Sequence, residues 1–306
     1  MKFTIFQNSL QGPRSHNQDR LAYSYSKDAL LLVVADGMGG HRYGEIAAQL
    51  AITNLTDAFQ RQADPTIVSP AKFLIEQIDQ IHSTISQFAA DRELIESPRT
   101  TVVAAIVQRG ILYCAHAGDS RLYHFRNGEL LFRTEDHSVV QSLYNKGKIE
   151  KNQMATHPFR HKVYSCLGGE TPPKIELADR QELADGDTIL LCTDGVWNVL
   201  TDDQIMHILM QGNITAGITD LLDQAEAISL TQGDNMSAIG LQWGDKLRNP
   251  QAVSTVNMGM EVTTTMMSPT ATQNFADQSE FSNVDISDEE IEKTISAIQE
   301  AIRKTR

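Results

Sequence analysis

Short apolar runs rich in β-formers recur along the first 244 residues: Leu30–Ala35, Thr101–Val107, Ile111–Cys114, Thr188–Cys192 and Ala238–Leu241. Arg109-Gly110 separates the second from the third, and Arg126-Asn127-Gly128 separates Leu122–Phe125 from Leu130–Phe132. Both spacers carry hairpin chemistry, and adjacent hairpins imply mostly antiparallel sheet. Between the strands, Glu45 to Gln60 and Pro70 to Ala90 place apolar residues at three- and four-residue spacing, the mark of amphipathic helices. Thr201-Asp202-Asp203-Gln204 has the form of a capping box and precedes Ile205, Ile208 and Leu209. The pattern predicts an α+β unit of sheets packed together with helices outside, spanning residues 1–244.

The character changes after that. Residues 245–285 are rich in Thr, Ser, Asn, Gln and Met without periodicity, and read as a disordered linker. Residues 286–306 regain a pattern: Ser287-Asp288-Glu289-Glu290 is a second capping box, and Ile291, Ile295, Ile298 and Ile302 form one stripe. An isolated helix of that length is marginal in water, so its stripe is expected to cover either its own catalytic domain or a partner.

With 41% hydrophobic residues in 306, the chain has enough apolar material for one large core. No stretch approaches the roughly 18 apolar residues of a membrane span, and Met1-Lys2-Phe3-Thr4 does not open a signal peptide; the expected location is cytoplasmic. Cys114, Cys166 and Cys192 form no C-x-x-C pair, which argues against a disulfide framework or zinc-thiolate site. A formal charge of −13 excludes nucleic-acid binding by surface electrostatics. It would also repel a phosphorylated partner unless something local reverses the sign.

Acids sit where the runs end. Asp36-Gly37 closes one run, Gly118-Asp119 another and Asp194-Gly195 a third; Asp234-Asn235 opens the last, and Asp19 follows the turn-like Gly12-Pro13. One aspartate at a strand end is ordinarily a turn former or cap. If the strands are neighbours, these carboxylates converge on one edge and their repulsion must be neutralised. All-oxygen donors suit Mg²⁺ or Mn²⁺; zinc would call for His and Cys. Two nucleotide-loop readings fail: Glu45 stands where a P-loop requires lysine, and Gly37-Met38-Gly39-Gly40 lacks the third glycine of a dinucleotide fingerprint.

Seven segments in order now carry a resemblance: Arg14-Ser15-His16-Asn17-Gln18-Asp19, Asp36-Gly37-Met38-Gly39-Gly40, Thr100-Thr101, Gly118-Asp119-Ser120-Arg121, Thr134-Glu135-Asp136-His137-Ser138, Thr193-Asp194-Gly195 and Gly233-Asp234-Asn235. Residues 1 to about 244 resemble the metal-dependent protein phosphatases, the type 2C serine/threonine phosphatases, in a bacterial form. The resemblance implies two stacked antiparallel sheets flanked by helices (an αββα sandwich) and hydrolysis of phosphoserine or phosphothreonine by a water that two Mn²⁺ or Mg²⁺ ions activate. By that likeness Asp36 bridges both metals, Asp194 and Asp234 complete one ion's ligands, and the Gly37 carbonyl serves the other. Asp19 orients water, Asp119 with Asp194 takes a third, weaker ion, and Arg14 grips the phosphate. The implied partners are phosphorylated proteins, with a serine/threonine kinase or its substrates among them.

Gln18 stands where many members have Glu, Met38 where eukaryotic relatives carry a histidine acid, and Arg99 where Gly is usual. Residues 139–166 correspond to the family's flap, and its His161 is the candidate for protonating the leaving group. His116 and His137 read as structural, and Arg121 as a brace. Thr263-Thr264-Thr265 and Ser268-Pro269 are candidate phosphorylation sites. A pseudo-phosphatase that only binds phosphoproteins is the rival from another class, but it should have lost metal aspartates. A phosphatase for small monoesters is the other alternative.

Overall fold

A computed structural model describes residues 1–38, 43–229, 233–244, 252–260 and 262–267. In chain order the strands are β1 (Lys2–Leu10), β2 (Asp19–Tyr25), β3 (Ala29–Asp36), β4 (Val102–Gln108), β5 (Ile111–Ala117), β6 (Arg121–Arg126), β7 (Glu129–Arg133), β8 (Glu176–Leu177), β9 (Gln181–Glu182), β10 (Thr188–Cys192), β11 (Met236–Trp243), β12 (Val253–Ser254) and β13 (Thr264–Met267). The helices are α1 (Gly44–Gln62), α2 (Pro70–Asp91), α3 (Val139–Asn145), α4 (Lys151–Met154), α5 (Asp194–Trp197), α6 (Asp202–Met210) and α7 (Ile214–Ser229).

The strands form two antiparallel sheets. One runs β12-β1-β11-β10-β6-β7, the other β13-β2-β3-β4-β5-β8, with β9 also on β5. Both expected hairpins form because their turn residues accept left-handed backbone: Arg109 and Gly110 at φ 54° and 74°, Asn127 and Gly128 at 51° and 78°. Period two along β3 sends Leu30, Leu32 and Val34 between the sheets, where they join Val103, Ala105, Leu191, Ile239 and Leu241. Leu31, Val33 and Ala35 point the other way and are equally buried, because α1 packs on β2 and β3. That is why this strand reads as an unbroken apolar run. On the outer face of the other sheet, Ile205, Ile208 and Leu209 of α6 and Ile218, Leu221 and Leu222 of α7 cover Leu190, Cys192 and Ala238. Each such fully buried Leu or Ile contributes roughly 1.5–3 kcal/mol.

The tail corrects one expectation. Part of the 245–285 segment, read as a disordered linker, belongs to the sandwich: β12 pairs with β1 and β13 with β2, each at a sheet edge. Edge strands half-facing solvent need no apolar alternation, so Thr/Met-rich sequence gave no strand signal. Hydroxyls fasten them instead. Thr255 Oγ1 donates to the Lys27 carbonyl at 2.6 Å, and Thr265 Oγ1 bonds Ser24 Oγ at 2.9 Å. Thr264 and Thr265, candidate phosphorylation sites, are thus strand residues. The described residues all fall within one compact unit. The expected helix over 286–306 lies outside the described residues. Among the described residues no helix is long and apolar enough to cross a membrane.

Candidate metal centre

Antiparallel order brings the start of β2, the ends of β3, β5 and β10, and the starts of β6 and β11 to one end of the sandwich. Asp19 opens β2 directly opposite Asp36, which closes β3. Cys192 at the end of β10 pairs with Arg121 at the start of β6, so Asp194 and Asp119 leave from neighbouring strand ends. Asp234 precedes β11. Asp36, Asp19, Asp119, Asp194 and Asp234 therefore meet.

Their electrostatics record the meeting. Burial pushes the Asp36 carboxyl well above its ordinary range, and the negative charges of Asp19, Asp194, Asp119 and Asp234 push it further. Asp194 is raised likewise, by burial and then by Asp119, Asp234 and Asp19. Asp19 and Asp119 are each pushed up to about 7, again chiefly by burial. Asp194 Oδ1 is buried and has no hydrogen-bond partner among the described residues. A buried carboxylate oxygen left unmade costs free energy, and a cluster of them invites a cation. The donor set is all oxygen, which fits Mg²⁺ or Mn²⁺.

Short polar side chains fix each acid's backbone. Thr100 Oγ1 donates to the Asp36 carbonyl at 2.8 Å, while Thr101 Oγ1 accepts from the Asp36 N–H at 3.2 Å and bonds Ser120 Oγ at 2.7 Å. The Thr-Thr pair thus ties β3 to the turn that carries Asp119. That turn needs glycine: Gly118 has φ 118°, and a Cβ there would lie 2.5 Å from Thr101 Cβ. Gly37 is required by close approach, since a Cβ would fall 2.4 Å from the Gly44 carbonyl oxygen and 2.7 Å from that of Gln18. Across the sandwich, Thr193 Oγ1 donates to Asp19 Oδ2 at 2.9 Å and accepts from the Ser237 N–H at 3.0 Å. Trp197 Nε1 donates to the Asp119 carbonyl at 3.0 Å. The Trp197 ring is stacked 3.5 Å from the Arg121 guanidinium, which grips Asp136 through two 2.7 Å hydrogen bonds. Arg121 is the expected brace, acting through Trp197.

Arg14, in the loop after β1, donates from Nη2 to Asp234 Oδ2 at 2.7 Å, with the two side chains 51% and 40% exposed. The loop is buckled down by Asn235. Its Oδ1 accepts from the Gln18 N–H at 2.9 Å, and its Nδ2 donates to the Gln11 and His16 carbonyls at 2.8 and 2.9 Å. Sequence reasoning named Asn235 only as part of a motif and gave it no work. It also left Glu45 out of the site, although Gln18 Nε2 donates to Glu45 Oε2 at 2.9 Å. A carboxylate therefore stands beside the residue that departs from the family's glutamate. His161 is exposed on the flap. Burial and Arg160 lower its pKa, while Asp234 opposes them and Arg14 adds to them, so the flap tip lies within electrostatic reach of the acid cluster.

His116, His137 and Glu176 also offer ligand atoms within 4.8 Å of one another. Their hydrogen bonds count against a second metal. The Gly118 N–H donates to His137 Nδ1 at 3.2 Å, leaving His137 Nε2 to carry its proton toward Glu176 Oε2 at 3.4 Å. Lys174 Nζ occupies the same Glu176 oxygen at 2.5 Å. The two rings stack with centroids 4.5 Å apart, and His137 is pushed down to about 4 by burial and by His116. His137 is thus hydrogen-bonded at both ring nitrogens, whereas His116 donates from Nε2 to the Glu135 carbonyl at 2.8 Å and its buried Nδ1 has no partner among the described residues, so the expected satisfied structural role holds for His137 and only in part for His116.

Residues 9–225 match the family model described as protein phosphatase 2C. The chain is 33% identical over 198 residues to the serine/threonine phosphatase stp of Listeria welshimeri, covering 64% of this chain and 78% of that one. The Streptococcus agalactiae serine/threonine phosphatase superposes with a TM-score of 0.71 at 26% identity, over 78% of this chain and 99% of that one. The catalytic domain of the serine/threonine protein phosphatase PstP, in complex with two manganese ions, gives 0.66 at 28% identity over 79% and 98%.

Proposed function

Because the chain belongs to the protein phosphatase 2C family and is a metal-dependent protein serine/threonine phosphatase, we propose how its own residues divide that work. Asp36, the Gly37 carbonyl, Asp194 and Asp234 would hold the pair of Mn²⁺ or Mg²⁺ ions, and Asp119 with Asp194 would take a third, weaker one. Bound divalent ions supply Lewis acidity toward phosphoryl oxygens and water, and the positive charge that an acidic protein needs to admit a phosphate.

The remaining steps belong to side chains. Arg14 exchanges its Asp234 partner for the substrate, because a planar guanidinium fork matches two phosphoryl oxygens. Asp19, steadied by the Thr193 hydroxyl, accepts a hydrogen bond from the attacking water and orients it in line. His161 donates a proton to the departing seryl or threonyl oxygen. The partners are phosphorylated proteins, and a serine/threonine kinase or its substrates is the specific partner we infer. The free thiols of Cys114, Cys166 and Cys192 support work in a reducing cytoplasm.

The observation that carries this reading is the gathering of mutually repelling carboxylates, Asp19 and Asp119 buried and Asp36 and Asp194 partly so, with the buried Asp194 Oδ1 unpartnered among the described residues. Phosphate release from a phosphothreonine peptide tests it, with Mn²⁺ or with chelator, for wild type and Asp36→Ala. Turnover should need Mn²⁺ and fall by at least roughly a thousandfold in the variant while its circular dichroism is retained. Turnover that survives both chelation and substitution would refute the assignment.

A further inference from the structure

The flap segment 139–166 carries Lys146, Lys148, Lys151, Arg160 and Lys162 against a single acid, Glu150, a net +4 in a chain of −13. All five cations are exposed, and none is held in an ion pair among the described residues. So strong a local reversal of sign is not needed for folding, since an unpaired surface cation contributes little to stability.

Two of these cations sit on a tightly built turn. The Arg160 N–H donates to the His157 carbonyl at 3.0 Å, the Lys162 N–H to the Phe159 carbonyl at 3.0 Å, and the Phe159 N–H to His157 Nδ1 at 3.1 Å. The base of the turn is pinned by the Val139 N–H on the Lys162 carbonyl at 2.8 Å and the Tyr164 N–H on the His137 carbonyl at 2.9 Å. At the tip Phe159 is 53% exposed, with Lys162 Nζ 5.7 Å from its ring centre. Both ends of the flap are tied to the acid cluster, the His137 N–H donating to the Gly118 carbonyl at 2.9 Å beside Asp119 and the Leu167 N–H to the Thr100 carbonyl at 2.8 Å, and the charges of Arg14 and Asp234 act on His161 between Arg160 and Lys162. A substrate whose phosphate meets Arg14 therefore runs its neighbouring residues past this turn, at about 3.3 Å per residue if extended.

We propose that the 157–162 turn is a specificity surface on which Arg160 and Lys162 bind acidic side chains flanking the phosphorylated residue of a protein substrate. The enzyme accordingly favours phosphosites in acidic sequence, and the exposed Phe159 ring packs against the stem of a neighbouring side chain. This rests on the reading of the active site given above. The strongly negative remainder of the chain disfavours a long polyanion, so the surface fits a short acidic stretch beside the phosphate.

The test compares kcat/KM of the full chain with Mn²⁺ on two phosphothreonine peptides, one flanked by Glu and Asp and one by Gln and Ala, for wild type and Arg160→Glu/Lys162→Glu. The ratio between peptides cancels any difference in the amount of active enzyme. Wild type should prefer the acidic peptide by roughly three- to tenfold, mainly through KM. The preference should shrink as salt rises and vanish or invert in the variant. An indifferent wild type, or a preference that the variant keeps, overturns the proposal. Failure of wild type to hydrolyse either peptide would instead strike the active-site reading, and this inference with it.

Discussion

Replacing Asp19 by Asn should make the metal-free protein more stable and the working enzyme worse. The Asp19 carboxyl, 4% exposed, is pushed from its ordinary value near 3.8 up to about 7, by burial first and by Asp234 in addition. That displacement corresponds to about 4 kcal/mol of folded-state penalty once the group is ionised. The acids of the cluster share their protons, so the gain from one substitution is about half, roughly 2 kcal/mol. The Thr193 hydroxyl that donates to Asp19 Oδ2 finds an acceptor in the Asn amide oxygen, so no hydrogen bond is forfeited there. The penalty is absent below the unfolded value near 3.8, grows as pH rises and is complete above about 7. In chelator at pH 8 the variant should melt about 4–8 °C above wild type. At pH 5, where most of the wild-type carboxyl is still protonated, the gap should narrow to about 2–3 °C on the same scale. Added Mn²⁺ should reverse the order at pH 8, because the cation relieves in the wild type what the substitution removes. Thermal melts at both pH values, with chelator and with Mn²⁺, decide the matter. A variant that melts below wild type in chelator at pH 8, or a gain that is equal at both pH values, would refute the reasoning.

Asn235→Ala deletes three partly buried hydrogen bonds that hold the Arg14 loop. It should lower stability in denaturant melts by roughly 2–4 kcal/mol and raise KM for phosphopeptides as Arg14 loses its position; an unchanged KM would detach the loop from phosphate binding. His161→Ala should slow phosphothreonine peptides by roughly 10²-fold, but p-nitrophenyl phosphate much less, since a phenolate leaves without a proton. With its pKa held below the usual 6.5, His161 is mostly neutral at pH 7. The wild-type peptide rate should therefore carry a limb that falls as pH rises through that lowered value, and the variant should lack it. Equal losses on both substrates would remove the residue from the chemistry.

The layered fold was legible because strand periodicity and turn chemistry agree over most of the chain. Leu30–Ala35 reads as a strand by its β-branched and apolar content, and Arg109-Gly110 and Asn127-Gly128 read as turns by their tolerance of positive φ. The aspartates were legible because Asp36, Asp119 and Asp194 close apolar runs, Asp234 opens one and Asp19 follows a turn. What sequence could not supply was the set of short polar contacts that join distant segments. Thr193 meets Asp19 across 174 positions, and Asn235 reaches Gln18 across 217. Nothing in a Thr or Asn says which carboxylate or carbonyl it will find until two sheets are stacked. The edge strands β12 and β13 were missed for a related reason: they are held by ladder bonds and hydroxyls, which leave no apolar period.

The same architecture explains why the acids had to be placed on strand ends of both sheets. A single sheet edge would set carboxylates side by side and leave them facing water, where each ionises near its ordinary value and binds a cation weakly. Closing two sheets over Leu32, Val34, Leu191 and Ile239 buries that end, so the carboxyls of Asp36 and Asp194 are driven up by lost hydration before their mutual repulsion is counted. The packing free energy of the sandwich thus holds together a group of charges that would otherwise separate, and the Thr101–Ser120 and Thr193–Asp19 contacts prevent them from relaxing apart. Such a preset site would offer a divalent ion relief of that repulsion as well as bonds, and binding would displace protons. Affinity for the ion and the stability cost of its absence therefore have one cause, and a substitution that eases the second should weaken the first.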